Sequence, residues 1–426
     1  MNQRSIKMLA DEPYRLFFPV ALLAGVFGVM LWPMFYAGQL FWIPDALQLS
    51  YYPNLAHAHL MIQGYVGGFA IGFIGTAMPK LLKATPLKAP LVALLFLLHL
   101  GLTLLHLCNH TRIADGLFAA MLLLMLSQVL IRLQSGKLAP PPGMVLAGMG
   151  LLSGALGAGW LAAVGLQGDI SMYRFAQRLL YQAFILLPLM GIGAYIFPMI
   201  LNTANKHAAL NQEKRSRAWK LKFTEALILG CLILASYWVD SRHPGQTSMP
   251  WVRFLLCAVW LSKECGWLQW KSARGIMPWA LRSGILCLLC GLIAVALIQR
   301  HPIALDHSLY IGGFGLITMI VATRVIYGHS GQGKMFQRWV KPLCWCTGLL
   351  LFDMLTRVSA DFMPWIMVSH HVYAALLWVV VSIIWGIALL PSVRKRPFAG
   401  MGLSSKPTPP NPATQTKSLM DMDFRK

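Results

Sequence analysis

About twelve apolar stretches, each close to twenty residues long, run through this sequence and restrict it to one fold class. A helix rises about 1.5 Å per residue, so roughly twenty apolar residues cross the hydrocarbon core of a bilayer. Lipid offers a backbone no hydrogen-bond partners, and spanning segments of this kind are therefore expected to be helices. Of the 426 residues, 57% are hydrophobic and only 12% are charged. The sequence therefore predicts an all-α, polytopic integral membrane protein with about twelve transmembrane helices.

Charged residues between the apolar stretches predict the topology. The expected helices lie near residues 16–36, 57–78, 89–109, 115–133, 143–165, 174–201, 223–240, 250–270, 279–299, 305–327, 341–358 and 365–390. Basic residues collect in alternate loops, for example 80–88 and 202–222, whereas the opposite loops carry at most one each. By the positive-inside rule, both termini are expected in the cytoplasm. Residues 1–396 are thus predicted to form a transmembrane helical domain, followed by a disordered, Pro- and Thr-rich cytoplasmic tail at 397–426.

The formal net charge of +22 could indicate a protein that binds nucleic acid. The basic residues, however, lie between the apolar stretches and at the ends of the chain. That arrangement indicates attraction to anionic lipid, so the lipid bilayer is the expected partner and nucleic acid is not.

Residues 57–79 form the apolar stretch that points most clearly to a binding site. It begins with His57 and His59, and Gly64, Gly68 and two further glycines follow at steps of four, four and three. Glycines at this spacing line one helix face and let another helix, or a flat ring, approach the backbone. Two interpretations follow: a packing face with histidines at the membrane edge, or a buried porphyrin or metal held by histidine. His57 and His59 are about 200° apart around a regular helix, so they cannot both face one iron.

Most of the 12 histidines are predicted to gather in the outer half of the membrane. His307 begins a helix that runs inward, and His370 with His371 lies early in the last helix. Arg178 approaches the same depth from the sixth helix. A lone histidine in a membrane helix is often only a hydrogen-bonding group, but a convergence from several helices at one depth predicts a haem or metal site.

A second histidine segment lies at the opposite, inner end of the tenth predicted helix. Arg324 stands in the last turn, and a Gly-His-Ser-Gly sequence that contains His329 closes the helix. The simpler interpretation is a stop signal, in which glycine ends the helix and basic residues complement its dipole. The alternative is an inner-leaflet site where Arg324 holds a haem propionate, a quinone or an anion. His329 lies about 33 Å from His307 along this helix, so the two cannot bind one metal.

Three segments carry a likeness to a known family: EPYRLFFP at 12–19, HAHLM at 57–61 and the run from Asp306 to Gly331 that includes the inner segment. Together they resemble the NnrS family of haem- and copper-containing membrane proteins, which are linked to nitric oxide stress and denitrification. Leu60 departs from the family pattern, which commonly has glutamate there. The resemblance implies a multi-pass protein of the bacterial inner membrane that binds haem b and copper.

The leading hypothesis is a haem-binding inner-membrane protein that protects against, or responds to, nitric oxide. His57 or His59 is predicted to supply one axial nitrogen to the haem iron and His307 the other, with His371 as an alternative. Nitric oxide or a quinol is the expected small partner. Two other hypotheses stay open: a membrane oxidoreductase that moves electrons between quinol, haem and copper, and a twelve-helix small-molecule transporter. No catalytic residue is assigned.

Overall fold

The computed structural model describes residues 3–45, 48–270, 273–298 and 300–395, and these residues form helices and no β-strand. The predicted tail at 397–426 lies outside the described residues. The long helices are α1 (Tyr14–Gln39), α2 (Asn54–Leu82), α3 (Ala89–Leu107), α4 (Thr111–Ser135), α5 (Met144–Ala163), α6 (Ile170–Leu201), α7 (Arg217–Arg242), α8 (Ser248–Cys265), α9 (Ile276–Leu297), α10 (Pro302–His329), α11 (Lys341–Phe362) and α12 (Pro364–Val393).

Eleven of these helices are long and apolar enough to cross a membrane. The exception is α8, which has 18 residues and carries Arg253, Lys263 and Glu264. The structure therefore confirms the all-α, polytopic membrane class. The count of about twelve spans and the cytoplasmic placement of both termini stay predictions, because composition and length alone do not fix them.

The helices pack mainly in chain order, and the last helix returns to the first. Helix α4 packs against α5, α11 against α12, and α12 against α1. Large apolar side chains remain on the outside of the bundle, among them Leu97, Val259 and Ile387, which are 64%, 63% and 74% exposed. Such a surface suits contact with lipid, where apolar side chains need no cover.

The glycines near the start of α2 lie against other helices. A Cβ atom at Gly68 would lie 2.7 Å from the Cβ of Ala21 on α1 and 2.7 Å from the ring of His99 on α3. At Gly64 it would lie 3.0 Å from the Cβ of Ala24. The packing interpretation is therefore the one that the structure supports, and these two glycines lie outside the cavity described below.

Three helices contain a wide π-helical segment that the sequence did not predict. The segments are Leu60–Val66 in α2, Leu179–Ala183 in α6 and Ser308–Gly315 in α10. The first directly follows His59 and the third directly follows His307. Such π turns occur frequently at functional sites, because they change the direction of side chains relative to a regular helix.

Candidate functional site

A cavity of about 660 Å³ lies among the helix ends that are predicted to face outward. Residues of α1, α2 and each helix from α6 to α12 line it, and much of its wall is apolar, for example Ile62, Ile311, Phe314 and Trp378. Cavities for small molecules and cofactors usually measure roughly 300–1,000 Å³ and combine apolar walls with a few polar groups. In size and lining, this cavity matches that class of site.

His57 and His307 line this cavity from two different helices, and their rings are held in the same way. Nδ1 of His57 lies 2.9 Å from the carbonyl oxygen of Gly28, and Nδ1 of His307 lies 2.7 Å from that of Ile303. A carbonyl only accepts, so Nδ1 of each neutral ring carries the proton and Nε2 is a bare acceptor. Among the described residues, neither Nε2 has a hydrogen-bond partner. This is the arrangement that metal-binding histidines commonly show.

His371 and Arg178 also line the cavity, but both have protein partners. Nδ1 of His371 lies 2.8 Å from the hydroxyl of Tyr36, and its Nε2 lies 3.3 Å from an oxygen of Asp361. With both nitrogens engaged, His371 is a weaker candidate for an iron ligand than His307. Arg178 Nη1 lies 3.1 Å from a carboxylate oxygen of Asp306.

Unlike its neighbour His371, His370 does not point into the cavity. Its Nδ1 lies 2.9 Å from the hydroxyl of Ser359, and it is absent from the cavity wall. The structure therefore separates His370 from the histidines with which the sequence grouped it.

Three polar groups in the cavity wall lack a partner among the described residues. Both carboxylate oxygens of Asp353, the hydroxyl of Tyr65 and Nε1 of Trp378 are buried and make no hydrogen bond. Buried polar groups are nearly always paired, and an unpaired carboxylate in a membrane is especially costly. The cavity wall therefore offers a carboxyl, a hydroxyl and an indole N–H to a ligand.

His59 lies outside this cavity and belongs to a second group, which we call the histidine–aspartate cluster: His59, His106 and Asp115. One potential ligand atom from each residue lies within 4.8 Å of the other two, and all three residues are buried. Gln63 joins them, with its oxygen 3.0 Å from Nε2 of His106 and its amide nitrogen 2.5 Å from an oxygen of Asp115. Nε2 of His59 lies 2.6 Å from the hydroxyl of Tyr181.

The inner segment forms a third group, built around Glu12. An oxygen of Glu12 lies 2.7 Å from Nδ1 of His329 and 3.0 Å from Nζ of Lys80, and its other oxygen lies 2.6 Å from Arg15. Arg15 also donates to the carbonyl oxygens of Val393 and Lys395 at the end of α12. The group therefore ties the start of α1 to the ends of α10 and α12.

Arg324 is turned away from that ion-pair group. Its guanidinium carbon lies 4.1 Å above the ring of Phe336, a cation–π contact. Neither Arg324 nor His329 lines the outer cavity. Of the two interpretations of the inner segment, the structural one fits these contacts.

The sequence analysis missed His106, Asp115 and Gln63 as a group. Asp115 stands at the start of the predicted helix 115–133, next to the outer loop that contains Arg112, and would be expected to lie in contact with water there. Asp115 is instead 2% exposed, and Arg112 donates to carbonyl oxygens at the end of α5. The available signal was the number of polar residues that α2, α3 and α4 bring to the same predicted depth, but only the fold shows that they meet.

The fold and these sites define a polytopic helical membrane protein with histidine clusters inside its bundle. The profile described as "NnrS protein" matches residues 8–396, which is most of the chain. The chain therefore belongs to the NnrS family and is a nitric-oxide-related membrane protein. No curated protein matches the chain.

Proposed function

We propose that this protein binds haem b in the outer cavity and, through it, senses or scavenges nitric oxide in the bacterial inner membrane. One observation carries the proposal. His57 and His307 reach the same cavity from different helices, and each has Nδ1 on a backbone carbonyl and a bare Nε2. Neutral imidazole with a free Nε2 is a common ligand of haem iron.

The rest of the cavity fits the same cofactor. A porphyrin needs apolar walls, which Ile311 and Phe314 supply, and positive charge near its propionates. Arg178 and Arg357 line the cavity and are the candidates for that charge. Asp353 also lines the cavity, and its carboxyl has no partner among the described residues. It is therefore free to contact a polar group of a bound ligand.

His57 and His307 would hold the haem, which would supply the iron; since both nitrogens occupy ligand positions, nitric oxide would bind only where one of the two imidazoles gives way. The chain's own contribution is to hold the ring with two histidines and to keep water away with apolar walls. Protection against nitric oxide and signalling of its presence both require this binding step, and we propose the step rather than a turnover. A quinol as electron donor belongs to the oxidoreductase alternative.

The test is the haem content and the absorption spectrum of detergent-purified protein, before and after titration with nitric oxide. The wild type should contain haem, and its main absorption band should shift with nitric oxide. His57→Ala and His307→Ala should lose most of the haem, since iron left with one strong bond is held weakly. His370→Ala is the matched control, because this neighbouring histidine lies outside the cavity, and it should keep wild-type content.

Two results would overturn the proposal. A well-folded, colourless wild-type protein would favour the transporter alternative. Unchanged haem content and spectrum in both His57→Ala and His307→Ala would place the haem elsewhere.

A further inference from the structure

We infer that His59, His106 and Asp115 form a buried site for a divalent transition-metal ion, and that Tyr181 joins this site to the outer cavity. The inference extends the proposed function by a second metal centre. It does not depend on haem binding, because the two sites share no ligand. His57 and His307 belong to the cavity, and the three cluster residues do not line it.

The ligand atoms come from three consecutive helices, α2, α3 and α4. Nδ1 of His59 lies 2.9 Å from an oxygen of Asp115, yet the pair lacks hydrogen-bond geometry. The rings of His59 and His106 meet edge to face, with their centroids 5.1 Å apart. Ligand atoms around a tetrahedral ion with bonds of about 2.1 Å lie about 3.4 Å apart. Here one pair is 2.9 Å apart and all three atoms lie within 4.8 Å of one another, so a small closure of the cluster around an ion completes the site.

Gln63 fixes which nitrogen of His106 is available. A carboxylate only accepts hydrogen bonds, so the group of Gln63 that faces Asp115 is its amide nitrogen. The amide oxygen of Gln63 therefore faces His106, whose Nε2 must carry the proton in this hydrogen bond. Nδ1 of a neutral His106 is then a bare acceptor, and it is buried with no partner among the described residues.

His59 follows the same pattern. Its Nε2 is engaged by the hydroxyl of Tyr181, and its Nδ1 is buried without a hydrogen bond. Both histidines thus have Nε2 held by a partner and Nδ1 buried without one, and Nδ1 of His59 lies beside Asp115. Outer partners that fix the tautomer and the orientation of the ring are typical of metal-binding histidines.

A purely structural network is the competing explanation, and it leaves one group unsatisfied. A proton on Nδ1 of His59 would place a donor 2.9 Å from the Asp115 carboxylate. Nδ1 of His106 would still be a buried acceptor without a donor, which is unfavourable. A single metal ion satisfies both nitrogens and the carboxylate together.

The donor set restricts the kind of ion. Two imidazole nitrogens and one carboxylate oxygen suit Zn²⁺, Cu²⁺ or Fe²⁺, whereas Mg²⁺ and Ca²⁺ prefer oxygen ligands alone. Three protein ligands also leave a coordination position open. The site therefore belongs to the class of divalent first-row transition metals, and the ion among them is for measurement to decide.

Tyr181 gives the site a direct connection to the cavity. Its hydroxyl lies 2.6 Å from Nε2 of His59, and the residue lines the cavity wall. A change in charge at the ion alters how strongly Nε2 of His59 donates to that hydroxyl. Tyr181 is thus a positioning residue between the two centres, and binding at one of them should change the spectrum of the other.

The experiment uses full-length, detergent-purified protein. Metal content is measured by mass spectrometry, with haem iron subtracted from total iron by a separate haem assay. Chelator-treated protein is then titrated with Cu²⁺ and followed by electron paramagnetic resonance, which detects nitrogen ligands. The wild type should hold about one ion per chain with a signal from two nitrogens.

The variants are His106→Ala, Asp115→Asn, Tyr181→Phe and the control His99→Ala. His99 is also fully buried on α3, and its nitrogens have no partner among the described residues. His106→Ala and Asp115→Asn should lose the ion and keep their haem. Tyr181→Phe should keep the signal from two nitrogens while its Cu²⁺ affinity falls about 10–100-fold, the usual loss when an outer partner is removed. His99→Ala should bind Cu²⁺ as the wild type does.

Equal Cu²⁺ binding in the wild type, His106→Ala and Asp115→Asn would overturn the site, as would no ion beyond haem iron in the wild type. Wild-type Cu²⁺ affinity in Tyr181→Phe would overturn the connection to the cavity. Asp115→Asn keeps the shape of the side chain, so it serves as the test if His106→Ala does not fold. The haem content of His57→Ala is measured separately and tests only the proposed haem site. Failure of the metal site can therefore be told apart from failure of the proposed function.

Discussion

The two ends of α10 each carry a histidine, and the environments of these residues differ. His307, near the start of the helix, has Nδ1 on a backbone carbonyl and Nε2 free beside a cavity. His329, at the other end, has Nδ1 between the charged groups of Glu12 and Lys80. The first arrangement leaves a ligand atom available, and the second uses the ring to join helices. The partners of a histidine, more than its place in a sequence motif, therefore separate a binding role from a structural one.

The largest effect should come from the inner ion-pair group. Glu12→Gln removes the only carboxylate in that group and leaves the guanidinium of Arg15, a residue 5% exposed, without its charge partner. Breaking a buried ion pair in this way costs about 3–5 kcal/mol. The apparent Tm of detergent-purified protein should fall further than in any other variant discussed here. Asp11→Asn, at the neighbouring acid, is the control, and an equal loss in both would show that the group is not special.

The same group predicts an acid transition. Burial alone would raise the pKa of the Glu12 carboxyl, but the hydrogen bond from His329 and the charges of His329, Lys80 and Arg15 lower it from 4.5 to about 2. Because the folded state has the lower pKa, this contribution to stability is complete above pH 4.5 and is lost as pH falls toward about 2. The apparent Tm of the wild type should decline across that range. Glu12→Gln should lack this part of the decline, and parallel curves would contradict the assignment.

An intermediate effect on thermal stability is expected at the two carboxylates of α11, and it should differ between them. Asp361 is paired with Arg357 and His371, whereas the oxygens of Asp353, two turns away, have no hydrogen bond among the described residues. Asp361→Asn should lower the apparent Tm. Asp353→Asn should leave the apparent Tm unchanged or raise it, because the neutral amide removes an ionisable group that is costly inside a membrane without a partner. A larger loss of stability in Asp353→Asn than in Asp361→Asn would mean that Asp353 has a partner in the folded protein.

The smallest effect concerns haem and the inner histidine. His329→Ala should keep wild-type haem per folded protein, since His329 is about 33 Å along the helix from His307. Its apparent Tm should fall moderately, because Glu12 retains Lys80 and Arg15 as partners. Haem assay and thermal unfolding on the same sample separate the two readouts. Complete loss of haem with a folded protein would indicate an inner-leaflet haem.

The fold could be predicted well because a bilayer accepts few kinds of backbone. Long apolar stretches had to be helices, and the expected helix at 57–78 appears as Asn54–Leu82. The sequence also predicted that His57 and His59 face different ways, and they lie in different sites. The directions of the side chains that follow His59 along α2 were less predictable. A π turn from Leu60 to Val66 changes the register in which Gly64 was expected to face a ring.

The histidine–aspartate cluster could not be read from the sequence for a different reason. Asp115 follows a short connection that contains Arg112, so charge alone suggested an exposed outer loop. Its burial depends on how α4 packs against α2, which is a property of the tertiary structure. Polar residues near the end of a membrane helix carry no local signal that tells a buried network from a solvated loop.

The most direct test of the account is haem content in His57→Gly protein prepared with and without added imidazole. The small residue leaves space for a free imidazole to take the place of the missing side chain. We predict that His57→Gly loses most of its haem and that imidazole restores it, because the role of His57 is to supply a nitrogen ligand. Wild-type haem content in His57→Gly without imidazole would contradict the central claim.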